Sequence, residues 1–428
     1  MALSTIGVGL LGLGTVGRGV YRVLEKNRDI ISARLGASLE VLRILVRDAE
    51  KDRGITLPPG LLTTDPAAVL EDPAVEIVVE VMGGIEPARR YVLEALSRGK
   101  SVVTANKDLL AVHGRELLTT AAQNKADLFF EASVAGGIPI IKILKESLAG
   151  NRIQEVIGIV NGTTNYILSK MTNEGSDFDA VLREAQEKGY AEADPTSDIE
   201  GFDAARKIAI LASLAFNSRV TLDNVYVEGI TKITPEDIRY ARELGYVVKL
   251  LGIARETGDG IEVRVHPALV PATHPLAAVS DAFNAVFVRG DAVGETMFYG
   301  RGAGELPTAS AVVGDIIAAA RNRRFNIPGL MSCTCFETKP VRPITAVQTC
   351  YYLRLRVTDR PGVLAGIAAA FGNNNVSLAA VTQKTTGVIA ELVLVTHRVQ
   401  EANLRAAVEE LKRLPTVETV ANIIRVEE

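Results

Sequence analysis

Ile6-Gly-Val-Gly-Leu-Leu-Gly-Leu-Gly-Thr-Val-Gly17 is the stretch that decides the fold. Ile6–Leu11 is a short apolar run of strand length, and Val16–Lys26 behind it has helical spacing. Between them Gly12-x-Gly14-x-x-Gly17 spells G-x-G-x-x-G. Glycines are common, so the pattern gains weight only from the strand ahead of it and the helix behind. Gly12 permits the tight turn, Gly14 removes a side chain that would block a pyrophosphate, and Gly17 lets helix pack closely on strand. The free N–H groups at the helix start, around Thr15 and Val16, and the positive end of the helix dipole suit phosphate. A purely structural glycine turn is the competing reading.

Outward from this turn the same alternation continues. Leu39–Val46, Ile77–Val81, Ser101–Thr104 and Leu128–Phe130 read as strands, with Ala88–Ser97 helical among them. Such alternation predicts a parallel sheet covered by helices on both faces, an α/β fold of the Rossmann-type doubly wound kind, over residues 1–135. The end of the second strand bears on the cofactor. An acid there would bind the 2′-hydroxyl of NAD, whereas an arginine can pair with the 2′-phosphate of NADP. The strand ends Leu45-Val-Arg-Asp48, with Lys51 and Arg53 close behind. Arg47 favours NADP; Asp48, one residue later, leaves NAD open, and a solvated charge cluster is the plain alternative. Thr104-Ala-Asn-Lys107 stands at the carboxyl end of another strand, where doubly wound sheets bind ligands. Thr104 and Lys107 are therefore candidates for cofactor or substrate contact, although a surface lysine would look the same.

From residue 136 to 302 the pattern changes. Strands at Ile153–Val160 and Ile261–Val265 and helices at Phe178–Lys188, Ile199–Phe216 and Pro235–Gly245 predict an α+β domain for substrate binding and dimerisation. Tyr299-Gly-Arg-Gly-Ala-Gly-Glu305 then leads into a helix near Pro307–Arg321, so that residues 303–321 are expected to return to the first domain. Residues 322–350, with Pro328, Pro340 and Pro343, read as a linker. Residues 351–428 read strand Tyr352–Val357, helix Val363–Phe371, strands Val376–Thr382 and Gly387–Thr396, helix Glu401–Leu411 and strand Val417–Arg425, a βαββαβ unit.

Composition narrows the function classes. The 428 residues carry 47 basic and 51 acidic side chains, a net charge of −4, which argues against nucleic acid as a partner. No apolar run is long enough for a transmembrane helix, and the first residues run straight into the glycine turn rather than forming a signal peptide. A cytoplasmic location is expected. Cys333, Cys335 and Cys350 are too few and wrongly spaced for a disulfide framework or a zinc site, and are expected as reduced thiols.

Chemistry concentrates in Gly189-Tyr-Ala-Glu-Ala-Asp-Pro-Thr-Ser-Asp-Ile-Glu-Gly-Phe-Asp-Ala-Ala-Arg-Lys207. Ser197-x-x-Glu200 resembles a capping box, which predicts a helix starting near Asp198. Asp203 and Lys207, four apart, share a face of that helix; a surface salt bridge is the ordinary meaning of such a pair. Ile208-Ala-Ile-Leu-Ala-Ser-Leu-Ala-Phe216 beyond it is apolar nearly all round, as in a buried helix. A lysine at its head, steadied by a carboxylate one turn away, could exchange a proton with an alcohol as hydride leaves carbon. The four histidines lie outside these motifs and read as structural or exposed.

Gly189–Lys207, together with Gly12–Gly17, Ala105-Asn-Lys107, Glu131-Ala-Ser-Val-Ala-Gly-Gly-Ile-Pro139 and Asn161-Gly-Thr-Thr-Asn165, resembles the homoserine dehydrogenases, in the right order over about residues 5–320. The resemblance implies nicotinamide-dependent interconversion of L-aspartate 4-semialdehyde and L-homoserine. It implies that Lys207 is the acid/base, that Asp203 positions it or the substrate hydroxyl, and that Lys107 lies between nicotinamide and substrate. Glu192 and Asp198 would hold the substrate ammonium, and Gly304, beside Glu305, would close over the cofactor. The family also binds a monovalent cation, commonly sodium, and the matching positions are Glu131, Val134, Gly136 and Ile138.

Asp359-Arg-Pro-Gly-Val-Leu364 and Asn375-Val-Ser-Leu378 resemble the ACT domain, a small-molecule sensor that pairs between subunits. The resemblance implies a homo-oligomer, dimer or tetramer, and an amino-acid effector, threonine first, acting in the biosynthesis of threonine, methionine and isoleucine. A unit that only assembles subunits would read alike. All the chemistry-bearing motifs precede residue 345, so a chain ending there is expected to keep catalysis and lose regulation. Two other readings stay open: a different hydroxy- or amino-acid dehydrogenase, decided by a substrate panel, and a non-catalytic amino-acid sensor, decided by an activity assay.

Overall fold

The computed structural model of the chain describes residues 4–329, 333–384 and 387–427; residues 330–332 of the expected linker, residues 385 and 386 of the expected last domain, and the extreme ends of the expected first and last domains lie outside the described residues. The chain forms two compact units. The first comprises Met1–Ile153, Ala209–Leu222 and Arg289–Thr338, and the second Gln154–Ile208, Asp223–Val288 and Lys339–Glu428.

In the first unit, β1 (Thr5–Leu11), β2 (Ser38–Leu45), β3 (Leu62–Thr63), β4 (Val75–Glu80), β5 (Ser101–Thr104) and β6 (Leu128–Phe129) form one sheet in the order β3-β2-β1-β4-β5-β6. Every pairing is parallel. This is the doubly wound arrangement, and its reversal of strand order beside β1 opens the crevice where ligands bind. The helix Glu305–Arg324 belongs to the same unit. Its Ala309, Val312, Val313 and Ile316 share a core with Val8, Leu10 and Ile44. Gly19 makes that approach close, since a Cβ there would stand 2.7 Å from the Glu305 carbonyl oxygen.

The second unit holds a mixed sheet. From β11 (Phe283–Gly290) it runs through β7 (Ile153–Ile159) and β9 (Tyr246–Thr257) to β10 (Gly260–Pro271). Short β8 (Tyr226–Val227) pairs with β10; β12 (Gly294–Arg301) belongs to the first unit. The C-terminal region has β13 (Gln348–Thr358), helix Val363–Asn373, β14 (Leu378–Gln383), β15 (Ile389–Thr396), β16 (Val399–Gln400), helix Glu401–Leu411 and β17 (Val417–Val426). Its βαββαβ order is the one expected, with the two-residue β16 added.

This C-terminal region is not a bead on a free linker. β17 pairs parallel with β10 at Ala268↔Arg425 and Leu269↔Val426. The expected linker also reaches the same strand: Ile261 donates its N–H to Pro340 O at 2.9 Å, and Arg342 donates to Ile261 O at 2.8 Å. Buried charges reinforce the seam. Asp237, fully buried, accepts from Arg354 Nε at 2.7 Å, from Asn422 Nδ2 at 2.7 Å and from Tyr352 Oη at 3.2 Å. Arg425 donates to Glu401 and, at 2.9 Å, to Glu228. Removing one partner of a buried pair costs about 3–5 kcal/mol, because the other is left charged and dry. A chain ending near residue 345, expected from the sequence to keep catalysis and lose regulation, would also strip β10 of a neighbour and leave Asp237 without Arg354.

Candidate active site

The glycine turn has the geometry its mechanism needs. Gly12 takes φ +107°, a conformation that side chains with a Cβ rarely adopt. At Gly17 a Cβ would fall 2.3 Å from Gly12 O, so helix and turn can meet only without one. At Gly14 a Cβ would meet nothing within 4 Å. Gly14 thus faces open space, a cleft of about 650 Å³ lined also by Thr15, Arg47 and Lys51. The helix Thr15–Lys26 begins there with no side-chain cap, leaving its first N–H groups to the cleft. Arg47 is exposed at the strand end. Arg53 is spent on the backbone, donating to Lys51 O at 2.7 Å and to Asp48 O.

Thr104 and Lys107 lie where the carboxyl ends of β4 and β5 meet. Glu80, fully buried, accepts from Thr104 Oγ1 at 2.6 Å and from the N–H groups of Met82 and Gly83. Thr104 Oγ1 accepts in turn from Asn106 N at 3.0 Å, and Asn106 caps the helix Lys107–Gln123 through Leu109 N–H. This latch fixes where Lys107, half-buried in the first helical turn, leaves the backbone. Sequence reasoning missed Glu80; a carboxylate closing an otherwise apolar strand, Val75-Glu-Ile-Val-Val-Glu80, was the available signal.

At the positions carried over for a cation, Glu131 is buried and accepts from Ile141 N at 2.7 Å and Lys142 N at 2.8 Å. Its own N–H donates to buried Asp315 at 2.8 Å. Burial pushes both carboxyls up, that of Asp315 to about 8. Val134 and Ile138 are buried, and Gly136 lies so close to Gly302 that a Cβ would stand 2.2 Å from its carbonyl oxygen. The carboxylate oxygens retain further lone pairs, and a carboxylate combined with backbone carbonyls would suit a hard monovalent ion. Among the described residues no group of three or more His, Cys, Asp or Glu could hold a metal.

In the second unit the acidic stretch folds differently from the capping-box expectation. A single turn, Thr196–Ile199, starts after Pro195 and stops at Glu200. Gly201, at φ +84°, breaks the chain, and the long helix runs Phe202–Ala215. That conformation favours glycine, and a Cβ on Gly201 would also lie 3.1 Å from Val265 Cγ1. The helix is buried as expected, with Ala205, Ile208, Leu211 and Ala212 inaccessible.

Lys207 Nζ donates to Asp203 Oδ2 at 2.6 Å and to Val160 O at 2.7 Å, with its side chain 13% exposed. An ammonium has three donors, so one remains. Asn161 Nδ2 bridges the acids, donating to Asp198 Oδ1 at 2.7 Å and to Asp203 Oδ2 at 2.9 Å. Burial and then the nearby charge of Asp203 hold the Asp198 carboxyl above the usual carboxylate range. Asp198, Asp203 and Lys207 are thus brought together, whereas Glu192 is exposed and only its carbonyl is engaged, by Gln186 at 3.1 Å. Asn161 and Val160 O went unassigned in the sequence. Their position at the end of β7, just before the helix Gly162–Glu174 that Asn161 caps, was the signal. The histidines stay outside: His266, fully buried, accepts from Arg264 at 3.2 Å, and His397 is exposed.

A doubly wound sheet with an open glycine turn and a buried lysine–carboxylate pair are the parts of a nicotinamide-dependent dehydrogenase. Residues 139–317 match the homoserine dehydrogenase family model, residues 12–131 its NAD-binding domain and residues 351–416 the ACT domain. The chain is 47% identical to homoserine dehydrogenase of Bacillus subtilis and 49% to that of Mycobacterium tuberculosis, covering 99% of itself and 99% and 98% of those proteins. A crystal structure of a homoserine dehydrogenase from Thiobacillus denitrificans superposes with a TM-score of 0.95 at 47% identity, over 100% of this chain and 99% of that one. The structure of a hyperthermophilic archaeal homoserine dehydrogenase in complex with NADPH matches with a TM-score of 0.63 at 30% identity, over 74% of this chain and 97% of that one. The chain belongs to the homoserine dehydrogenase family of oxidoreductases, with an ACT domain at its C-terminal end.

Proposed function

We propose that the enzyme interconverts L-homoserine and L-aspartate 4-semialdehyde with Lys207 as the acid/base. One observation carries this reading: Lys207 Nζ is held at 2.6 and 2.7 Å by Asp203 and Val160 O in a nearly dry position, with one donor left for a substrate oxygen. In the oxidative direction its amine takes the hydroxyl proton, and in the reductive direction its ammonium returns it. Asp203 positions the lysine. Asp198, and Glu192 from the exposed loop, bind the substrate ammonium, which needs carboxylates. Lys107 is the second cation offered to substrate or cofactor.

The nicotinamide supplies the hydride acceptor. Gly12, Gly14, Thr15, Val16 and Gly17 hold its pyrophosphate, with Thr104, Lys107 and Gly304 around the rest. Arg47 and Lys51, exposed beside the cleft, favour NADP, and the NADPH complex of the archaeal relative supports that choice. Glu131, with the carbonyls of Val134, Gly136 and Ile138, binds a monovalent cation, sodium by preference. The enzyme works in the cytoplasm as a dimer or tetramer, in threonine, methionine and isoleucine biosynthesis. The ACT domain takes an amino-acid effector, threonine first, as feedback inhibitor.

A panel of hydroxy-amino and hydroxy acids, each assayed with NADP and NAD, tests this reading. Homoserine should exceed serine, threonine and 4-hydroxybutyrate in kcat/KM; turnover of a non-amino hydroxy acid at an equal rate would sink it, since Asp198 would then bind nothing.

A further inference from the structure

A second cavity of the first unit, about 430 Å³, is lined by Cys333, Cys335, Lys145 and Arg219, and takes no part in the chemistry described so far. Its volume lies in the range of small-molecule pockets. Cys333 is exposed, Cys335 is half-buried and Cys350 is buried. Phe336 N–H donates to Thr334 O at 2.9 Å, closing a three-residue turn centred on Cys335 that bends the segment. The bend lets Cys335 N–H point at Cys333 Sγ, 3.4 Å away, and brings the two thiols within hydrogen-bonding reach of each other. Cys335 Sγ also lies 3.8 Å from Ser213 O, a second acceptor to which its one proton can turn once Cys333 has reacted. The other charged groups facing the cavity are Arg115 and Glu337.

We propose that Cys333 and Cys335 form a thiol–disulfide exchange site that takes a low-molecular-weight disulfide and closes into a reversible intrachain disulfide. The two sulfurs have unequal roles. The hydrogen bond from Cys335, then the Cys335 N–H and the positive charges of Lys145 and Arg219, outweigh burial and bring the Cys333 thiol down to about 6. The same hydrogen bond pushes Cys335 up, so it keeps its proton. Thiolate is the attacking species, so Cys333 reacts first. Its sulfur bonds to one sulfur of the small disulfide, the S–S bond breaks, and one small thiolate leaves and takes a proton from water. Cys333 is then no longer an anion, and the interaction that held the proton on Cys335 is gone. Cys335 loses its proton to water, attacks Cys333 Sγ and expels the second small thiol. The protein dithiol is oxidised by two electrons, and the small disulfide is reduced to two thiols.

The test uses the full-length enzyme and 5,5′-dithiobis(2-nitrobenzoate), whose released thiolate is coloured. Wild type should release two equivalents of thiolate and end with a mass lower by two hydrogens, peptide mapping placing the bond between Cys333 and Cys335. A thiol titrating near 6 keeps about three-quarters of its maximal rate at pH 6.5, whereas an ordinary one near 8.5 keeps roughly a hundredth. Cys335→Ser should release one equivalent and trap the mixed disulfide on Cys333. Cys333→Ser should be slower at pH 6.5 by at least tenfold. Mapping the first labelled thiol in the native protein needs no variant and holds even if one fails to fold. First labelling at Cys350, a rate that collapses between pH 8.5 and 6.5, or a wild-type product without the intrachain bond would overturn the proposal.

Discussion

At Gly14 an added Cβ would meet nothing within 4 Å, whereas Lys207 Nζ is hemmed between a carboxylate at 2.6 Å and a carbonyl at 2.7 Å. The cofactor turn works by leaving atoms out, so that backbone N–H groups face a cleft. The acid/base helix works by crowding charged atoms where water is scarce. A site built on omission is written locally, in glycines a few residues apart, and the one that faces the cleft, Gly14, can be altered with little harm to the fold. A site built on crowding draws Val160 and Asn161 from another part of the sequence onto Asp198, Asp203 and Lys207, and each part also bears on stability.

The largest effect should come from Lys207. Lys207→Ala should lower kcat by about 10²–10⁴, the usual contribution of general acid–base catalysis, while KM for the cofactor holds. Lys207→Arg should rescue little, because a guanidinium does not give up its proton. An ordinary helix-face ion pair would instead be worth only about 0.2–0.5 kcal/mol of stability. A folded Lys207→Ala enzyme with near wild-type kcat at saturating homoserine would end the assignment and move attention to Lys107.

Arg354 tests whether crowding alone marks a catalytic group. It is as buried as Asp203 and also donates to a buried aspartate, Asp237, yet it lies in the ACT domain. Arg354→Met should cost about 3–5 kcal/mol in denaturant unfolding, with kcat of the folded fraction little changed. Loss of kcat without loss of stability would mean that the seam between β10 and β17 serves the reaction rather than the fold.

Much of this was legible in the sequence, for reasons that differ between the two regions. β1, the glycine turn and the following helix declare themselves by local sterics. So does the βαββαβ order, because its strands alternate with helices at short spacing. β9 was not anticipated: Tyr246-Val-Val-Lys-Leu-Leu-Gly-Ile-Ala-Arg-Glu-Thr257 is buried over most of its length, and a strand buried on both faces loses the alternation that identifies it. β10 was seen only as Ile261–Val265, although it runs Gly260–Pro271 with Glu262, Arg264 and His266 buried along it. Polar residues at alternate positions suggest a solvent face. Here they meet Arg342 and Glu427, from far along the chain, which periodicity cannot show.

On the cofactor side, Arg47→Ala should reduce kcat/KM with NADP by roughly ten- to a hundredfold, the value of a charge-assisted hydrogen bond, and leave the NAD reaction nearly unchanged. Equal losses with both cofactors would remove the 2′-phosphate contact. Two glycine variants then separate omission from packing. Gly14→Ala should raise KM for the cofactor with no change in unfolding midpoint, since its Cβ enters open space. Gly17→Ala should cost about 1–3 kcal/mol of stability, since its Cβ would overlap Gly12 O. The reverse outcome would mean that Gly14 is structural and the cleft is not the cofactor's.

The smallest effect should appear at Asp198, in the pH profile. Its carboxyl is raised by burial and by Asp203, against the pull of Asn161. As pH falls it therefore protonates before an ordinary aspartate would, and the proposed partner of the substrate ammonium is lost early. The acidic limb of kcat/KM for homoserine should begin above the usual aspartate range of about 3.9, with kcat at saturation moving less, because a bound ammonium favours the carboxylate. Asp198→Asn should flatten that limb and raise KM. Stability gives the independent reading. For a carboxyl whose folded pKa lies above its unfolded value, the stabilising contribution is complete below the unfolded value and is lost as pH rises through the folded one. At neutral pH the charged form is thus the costly one, and Asn161 can still donate to the new amide oxygen, so Asp198→Asn should leave the unfolding midpoint unchanged or higher. A purely structural Asp198 predicts the opposite pair of results: a lower midpoint and an unaltered pH profile.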